Sequence, residues 1–337
     1  MPAPCVGRRR VLAVLAGAAI WPRAGLAASP RYRVAFANAN ETPGARMEGL
    51  GFTGIDVRRS FELAARTLPV EMIYYDNAGD GERALANADD AVRRKVDLLI
   101  EYNGETAANA EIARRLKSAG IPVLAVNHPV GDAPLYAADP RAAGRIAGHA
   151  LGEFAKQTWP DQTPIAVIIG DLGDAREAVA LRLQGIEAGL AAELPAIVPT
   201  RLDTGGQTLR AEGVLVKYLA AQPRRRVLIA SLDDPTALSA RIGVEVAGRL
   251  HDCVIVSQGL DRSIHGGASE KKEIDPANRS SVVLGSVAYF LDHTGYEVLP
   301  LALRLLNGEA VPARTLTQHR LVTGKTIFRE YPPTDMN

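Results

Sequence analysis

The sequence predicts an α/β protein of two similar lobes, each a parallel sheet wrapped in helices, and three observations predict it. From Tyr32 onward short apolar runs alternate with helix-patterned segments of about 10–15 residues, the signature of a parallel sheet covered on both faces. The alternation halts at a Pro-rich break, WPDQTP at 159–164, and restarts as a second series of similar length and order. Polar residues follow the apolar runs directly, where an open parallel sheet forms its ligand crevice.

The first 28 residues stand apart. MPAPCVGRRR is a basic start, VLAVLAGAAIW is an apolar run of 11 residues, and GLAAS offers small residues for cleavage after Ala28. Eleven apolar residues are too few to span a bilayer, so the segment reads as an export signal and the mature chain as periplasmic. Arg8 and Arg9, followed by Arg10, Val11 and Leu12, resemble the twin-arginine export pattern. Removing the signal takes away four arginines and no acid, leaving 35 basic against 38 acidic residues. A net charge near −3 gives no basic footprint for nucleic acid. Cys5 leaves with the signal, and Cys253, set in DCVIV, is then a lone cysteine on a buried strand.

In the first series, 32–37 (YRVAFA) is a strand, 38–54 a long polar loop, 57–68 a helix, 70–75 a strand ending at Asp76-Asn77, and 82–95 an amphipathic helix. The stretch 95–128 then reads strand, helix, strand: VDLLI, EIARRLKSAG closing on Gly120, and IPVLAV. Two buried runs joined by a helix make a parallel crossover. Glu101-Tyr102-Asn103 and Asn127-His128 follow the two strands and are expected to face the site. A loop with a short strand leads to Asp139-Pro140, with Pro140 in the first turn of a helix running to about Gln157.

The second series runs strand 165–169, helix 175–190, strand 196–202, helix 209–221, strand 227–231, helix 236–250 and strand 254–257. Residues 263–279 read as a polar surface loop, 282–288 as a strand, 297–306 as a helix closed by Asn307-Gly308, and 318–323 as a last strand. Of Asp233-Asp234, ahead of the third helix, Asp233 is expected to face the ligand and Asp234 to cap.

These landmarks, in this order, resemble the periplasmic sugar-binding proteins of ABC importers, the ribose- and galactose-binding kind with two Rossmann-like lobes of periplasmic binding protein type 1. LLIEYN and PVLAVNH resemble strands ending in polar ligand contacts, AADPRAAGRIAG the segment crossing to the second lobe, and RLQGIEAGL an Arg-x-x-Gly-aromatic turn. VLIASLDDPTALSA, VIVSQGLD and the tail LLNGEAVPARTLTQHRLVT complete the series. The resemblance covers about 290 of the 337 residues, and the order of the landmarks is more specific than any one of them.

The resemblance implies two lobes joined by a three-segment hinge: 29–138 plus 290–316, and 139–289 plus 317–337. It implies ligand contacts at Glu101, Asn127 and His128 from the first lobe, Arg182, Asp233 and Asp261 from the second, Tyr289 in the connection back, and Asn38 in the first loop. Asp139 is expected in the hinge or as a helix cap. Carboxylates and a guanidinium suit a polyol, whose paired hydroxyls they engage two at a time. The implied function is capture of a small polar ligand for an ABC permease by a monomer that is not an enzyme and carries no cofactor or metal. A sensor subunit serving a membrane receptor kinase would use the same fold and pocket.

The departures from that pattern bear on the ligand. Phe52 is the sole aromatic of the first loop, His128 stands for an Arg, Glu101 for an amide, Asp233 for an Asn and Leu260 for an aromatic. Aromatics make up 5% of the chain, so the site is expected to stack less and carry more acid than a hexose site. That leaves room for a cationic or amine-bearing ligand as well as a small polyol. The rival is an exported nicotinamide-dependent oxidoreductase, seeded by Gly49-Leu50-Gly51-Phe52-Thr53-Gly54 with Asp76 ending the next strand. A dinucleotide fingerprint follows its strand directly, however, and here 11 residues separate Ala37 from Gly49.

Overall fold

The computed structural model describes residues 32–173, 177–266 and 272–332. The export signal expected at 1–28, and with it the cleavage site, lies outside them. The chain opens with β1 (Tyr32–Asn38), α1 (Gly54–Ala65), β2 (Val70–Asp76), α2 (Gly81–Arg93), β3 (Leu98–Glu101), α3 (Thr106–Ser118), β4 (Val123–Val126) and β5 (Leu135–Ala137). It continues through α4 (Pro140–Thr158), β6 (Ile165–Gly170), α5 (Glu177–Glu193), β7 (Thr200–Asp203), α6 (Arg210–Ala220), β8 (Val227–Ser231), α7 (Asp234–Val246), β9 (Cys253–Gly259) and α8 (Arg262–His265). After β10 (Val283–Ala288) come a 3₁₀ turn (Leu291–His293), α9 (Thr294–Leu306), β11 (Arg314–Leu316), β12 (Leu321–Val322) and α10 (Ile327–Glu330).

These strands form two separate six-stranded sheets, ordered β11-β5-β4-β3-β1-β2 and β12-β10-β9-β8-β6-β7. Every pairing is parallel except β10 with β12. Parallel strands covered on both faces must be apolar on both, and Val34, Ala35, Phe36 and Ala37 of β1 are all fully buried. One face of the first sheet packs on α1 and α9, where the Phe36 and Phe61 rings stack at 3.9 Å. Ala84, Ala88 and Ala91 of α2, with Ile112 and Leu116 of α3, fill the other. In the second sheet α4 lies on one face against β8, β9 and β10, and α6 and α7 close the opposite one. Each fully buried Leu or Ile in these layers stabilises the fold by about 1.5–3 kcal/mol.

Element boundaries depart from the sequence pattern mostly at helix starts. Thr53 caps α1 through a reciprocal capping box with Asp56, so the helix begins at Gly54, not at Val57. Helix α3 begins at Thr106, ahead of its apolar stripe, and the expected helix start at Ala175 lies outside the described residues. Within 263–279, read as a loop, the short helix α8 forms first. Two short elements, β11 and α10, have too little apolar periodicity to be legible. Cys253 is buried as expected, and burial pushes its thiol up to about 12.

The chain passes between the sheets three times: after β5 into α4, after β10 into the 3₁₀ turn and α9, and after β11 into β12. This explains the antiparallel strand. Strand β10 leaves the second sheet at its crossing end, and β12 enters at that same end, so it must run back along its neighbour. The crossings are tied together by His319, whose Nε2 accepts from the Asp139 N–H and whose Nδ1 faces Ala288 O, both at 2.9 Å. Thr317 N–H also donates to Ala137 O at 2.9 Å. Asp139 itself caps α4, accepting from Ala142 N–H at 2.9 Å.

Candidate ligand-binding site

The long loop after β1 decides the shape of the site. Residues 46–53 form a small hairpin: Arg46 pairs antiparallel with Thr53, Met47 N–H donates to Phe52 O, and Leu50 N–H donates to Met47 O. Its two central residues, Glu48 (φ +54°) and Gly49 (φ +69°), both take positive φ, as a tight two-residue hairpin turn requires. Met47, Leu50 and Phe52 are buried, and this anchoring presents the tip to the cleft. Phe52, the one aromatic in the loop, is therefore a core residue.

Around this tip the two lobes meet. From the first, the Tyr102 hydroxyl donates to Glu48 Oε1 at 2.6 Å, Asn127 Nδ2 lies 3.3 Å from the same oxygen, and His128 Nε2 lies 3.4 Å from it. From the second, Arg182 Nη2 donates to the Glu48 carbonyl at 3.1 Å, and Nη1 donates to Leu232 O at 2.7 Å. Arg46 donates to Thr208 Oγ1 at 2.9 Å and lies 3.6 Å from Asp233 Oδ1. Asp261 reaches over from its strand end: a Cβ built on Gly51 would sit 1.7 Å from Asp261 Oδ2, so the contact needs glycine there. Tyr289 is buried, with the Arg182 guanidinium 5.3 Å above its ring and its hydroxyl donating to Gln258 Oε1 at 3.3 Å.

Six of the eight expected contacts, Asn127, His128, Arg182, Asp233, Asp261 and Tyr289, thus gather at the cleft. Asn38 and Glu101 do not. Asn38 is buried beneath the first loop, donating to Gly54 O at 2.8 Å and to Glu41 Oε1 at 3.0 Å, so it staples the loop rather than lining the cleft. Glu101 is the last residue of β3 and points to the α2 side, where Asn77 Nδ2 donates to its Oε1 at 2.8 Å. Burial pushes its carboxyl up to about 8, against which the Asn77 bond works. Its neighbour Tyr102 enters the cleft instead, because successive side chains at a strand end alternate between faces. Asn103 is likewise turned away, bonded to Asn109.

Asp233 stands at the cleft and also takes the cap that the sequence expectation gave to Asp234. Asp233 is the cap of α7, taking Thr236 N–H at 2.9 Å and Thr236 Oγ1 at 2.8 Å, although its Oδ1 also faces Arg46. Asp234 is fully buried and accepts from Ser257 Oγ and Ser286 Oγ, both at 2.6 Å, and from Asp261 N–H at 2.7 Å. It therefore holds the strand end that carries Asp261. Burial, then the neighbouring Asp261 charge, raises the Asp234 carboxyl well above the ordinary range. Burial foremost, with the charge of Asp233, raises that of Asp261 as well.

A cavity of about 240 Å³ lies between the hairpin and the second lobe, lined by Arg46, Gly49, Asp171, Arg182, Asp233 and the hydroxyls of Thr204, Thr208 and Thr236, among others. Among the described residues no aromatic ring lines it. Among its described lining residues Arg46 and Arg182 stand against Asp171 and Asp233, while Glu48 and Asp261 add further carboxylates at the cleft. Arg46 was hidden from a sequence reading because the loop's fold, not its composition, brings it across. A larger groove of about 560 Å³, lined by α1, α9 and the segments around α8 and α10, contains none of the eight expected residues. Among the described residues, buried polar atoms without a hydrogen-bond partner include Arg182 Nε and Asp261 Oδ2 at the cleft and Gln258 Nε2 beside Tyr289.

The dinucleotide fingerprint does not serve its chemistry here. Thr53 and Asp56 already close the N-terminus of α1, and Asp76 Oδ1 accepts from Glu41 N–H and Ala78 N–H. The periplasmic binding protein domain matches residues 51–310. The chain belongs to the periplasmic binding protein family. Solved structures share the fold of this binding protein at low identity. A solute-binding protein of an ABC transporter from Bacillus halodurans C-125, with bound myo-inositol, is 18% identical, with 91% of this chain and 99% of that chain covered and a TM-score of 0.62. One from Actinobacillus succinogenes 130z, with bound D-allose, is 16% identical, covering 88% and 98%, at a TM-score of 0.65. A 5-methylthioribose transporter solute-binding protein from Thermotoga lettingae TMO is 15% identical, covering 91% and 90%, at 0.64. No curated protein matches the sequence.

Proposed function

We propose that this binding protein captures a small neutral polyol or sugar between its lobes and delivers it to an ABC importer, acting as an exported monomer by binding and not by catalysis. The observation that carries the reading is that, among the buried polar atoms left unpartnered on the second lobe, Arg182 Nε offers a donor and Asp261 Oδ2 an acceptor beside the cleft. A buried polar group without a partner costs about 1–3 kcal/mol. A hydroxyl, which both donates and accepts, can satisfy either atom; an ammonium only donates and would leave the Arg182 N–H unpaired. The cavity of about 240 Å³ is below the usual span of about 300–1,000 Å³ for larger ligands, and no ring among the described residues lines it. The myo-inositol and D-allose bound by two proteins of this fold support the same ligand class.

The lobes in this reading are 29–138 plus 290–316 and 139–289 plus 317–337, hinged where the chain crosses. A ligand held by both walls favours the closed arrangement by its differential affinity for it. The test is a thermal-shift screen of residues 29–337 against myo-inositol, D-allose, D-galactose, glycerol, putrescine and NAD. A ligand at about 100 times its Kd adds about 2.7 kcal/mol to the folded state, enough to move the melting curve by several degrees. A shift with a polyol or sugar supports the reading. A shift only with putrescine or NAD contradicts it.

A further inference from the structure

The donors that the first lobe offers to the cleft are held by the protein's own loop. The Tyr102 hydroxyl, Asn127 Nδ2 and His128 Nε2 all converge within 3.4 Å on one carboxylate oxygen, Glu48 Oε1. Across the cleft Arg182 donates to the carbonyl of the same residue, and Arg46 ties the hairpin to Asp233 and Thr208. Glu48 does this from φ +54°, a left-handed conformation disfavoured for any residue with a Cβ. Strain of that kind persists where surrounding contacts over-determine it, and it clusters at ligand clamps and switches.

We propose that Glu48 is a tethered competitor that sets the affinity and the ligand class of the cleft. This rests on the polyol reading above. Its carboxylate occupies the first-lobe subsite, and a ligand engages both lobes only by displacing it. A carboxylate presents two acceptor oxygens side by side, and so does a vicinal diol. The displacing ligand is therefore one that brings a hydroxyl oxygen to the point where the three donors converge, with an adjacent hydroxyl standing where the second carboxylate oxygen does. An amine brings donors to donors and is rejected. Displacement also frees Arg182 Nη2 from the Glu48 carbonyl, and a ligand hydroxyl that accepts from it restores the bond on the second wall.

The test is calorimetric titration of residues 29–337 with myo-inositol and D-allose for wild type, Glu48→Gly and Glu48→Gln. Glycine suits the φ of +54°, so the turn persists while the competitor is lost. Glu48→Gly is expected to bind about tenfold tighter than wild type, a change of about 1.4 kcal/mol, with Glu48→Gln in between. A merely structural role, or direct contact of Glu48 with ligand, weakens binding instead, and unchanged or weaker binding overturns the proposal. If no variant binds either probe, the polyol reading fails separately, and the hairpin is judged ligand-free by small-angle scattering. A larger radius of gyration for the double variant Arg46→Ala, Glu48→Gly supports the tether, and an unchanged one overturns it.

Discussion

Glu101 and Asp234 show how differently burial treats two carboxylates. Glu101 has Asn77 on one oxygen and no partner on the other, and its carboxyl stays protonated up to about pH 8. Because the folded value lies above the unfolded one of 4.5, the folded state binds the extra proton, and stability falls as pH rises through the window between them. In urea titrations from pH 5 to 8, Glu101→Gln should flatten this decline and leave ligand affinity unchanged, since the side chain faces away from the cleft. Asp234, with three donors, is structural. Asp234→Ala strands two serine hydroxyls and the Asp261 N–H, and should cost about 3 kcal/mol in unfolding free energy. Residue roles of this kind were only partly legible. The strand ends marked Asn127, His128 and Asp261, but which of two adjacent residues faces the cleft depends on strand register. Register turned Tyr102 inward in place of Glu101 and gave the cap to Asp233.

At the scale of elements, the packing of α4 on α5 fixes the position of Arg182. A Cβ on Gly144 would lie 2.2 Å from Arg182 O, one on Gly185 2.2 Å from Arg141 O, and one on Gly189 2.2 Å from Arg145 O. The two backbones therefore touch along a line of glycines, and any side chain there forces α5 outward. Gly144→Ala should destabilise by about 1–3 kcal/mol, the range for overpacking, and weaken ligand binding through the displaced Arg182. Gly213→Ala in α6 is the control. That site is exposed with nothing within 4 Å, so the substitution should stabilise by about 0.5–1 kcal/mol. Chemical unfolding of both variants reads the contrast. The helices and strands were legible because apolar periodicity survives in a buried parallel sheet. The hairpin at 46–53 was not, since its anchors Met47, Leu50 and Phe52 are too few to set a period, and Glu48-Gly49 reads as an ordinary loop.

For the whole molecule, the crossings are pinned by a neutral histidine. With Asp139 N–H donating to Nε2, His319 must carry its proton on Nδ1 and donate it to Ala288 O. Burial lowers its affinity for a second proton, against the backbone bond and the nearby Asp139 charge. The unfolded histidine titrates at 6.5 and the folded one lower, so the unfolded state binds more protons below that value and stability is lost as pH falls beneath it. His319→Gln should remove that acid-side loss, seen as a flatter melting temperature between pH 6.5 and 5. The two-lobe plan was legible from the restart of the strand–helix pattern after 164. The reversal of β12 was not, because it follows from where the chain re-enters the second sheet. The central claim, that Arg182 and Asp261 hold a polyol between the lobes, is tested most directly by calorimetric titration of residues 29–337 with myo-inositol and D-allose, wild type against Arg182→Ala and Asp261→Ala. Saturable one-to-one binding that each substitution weakens more than tenfold, with the fold intact by circular dichroism, is the predicted result. Absence of binding to either compound, or affinity unchanged in both variants, would contradict it.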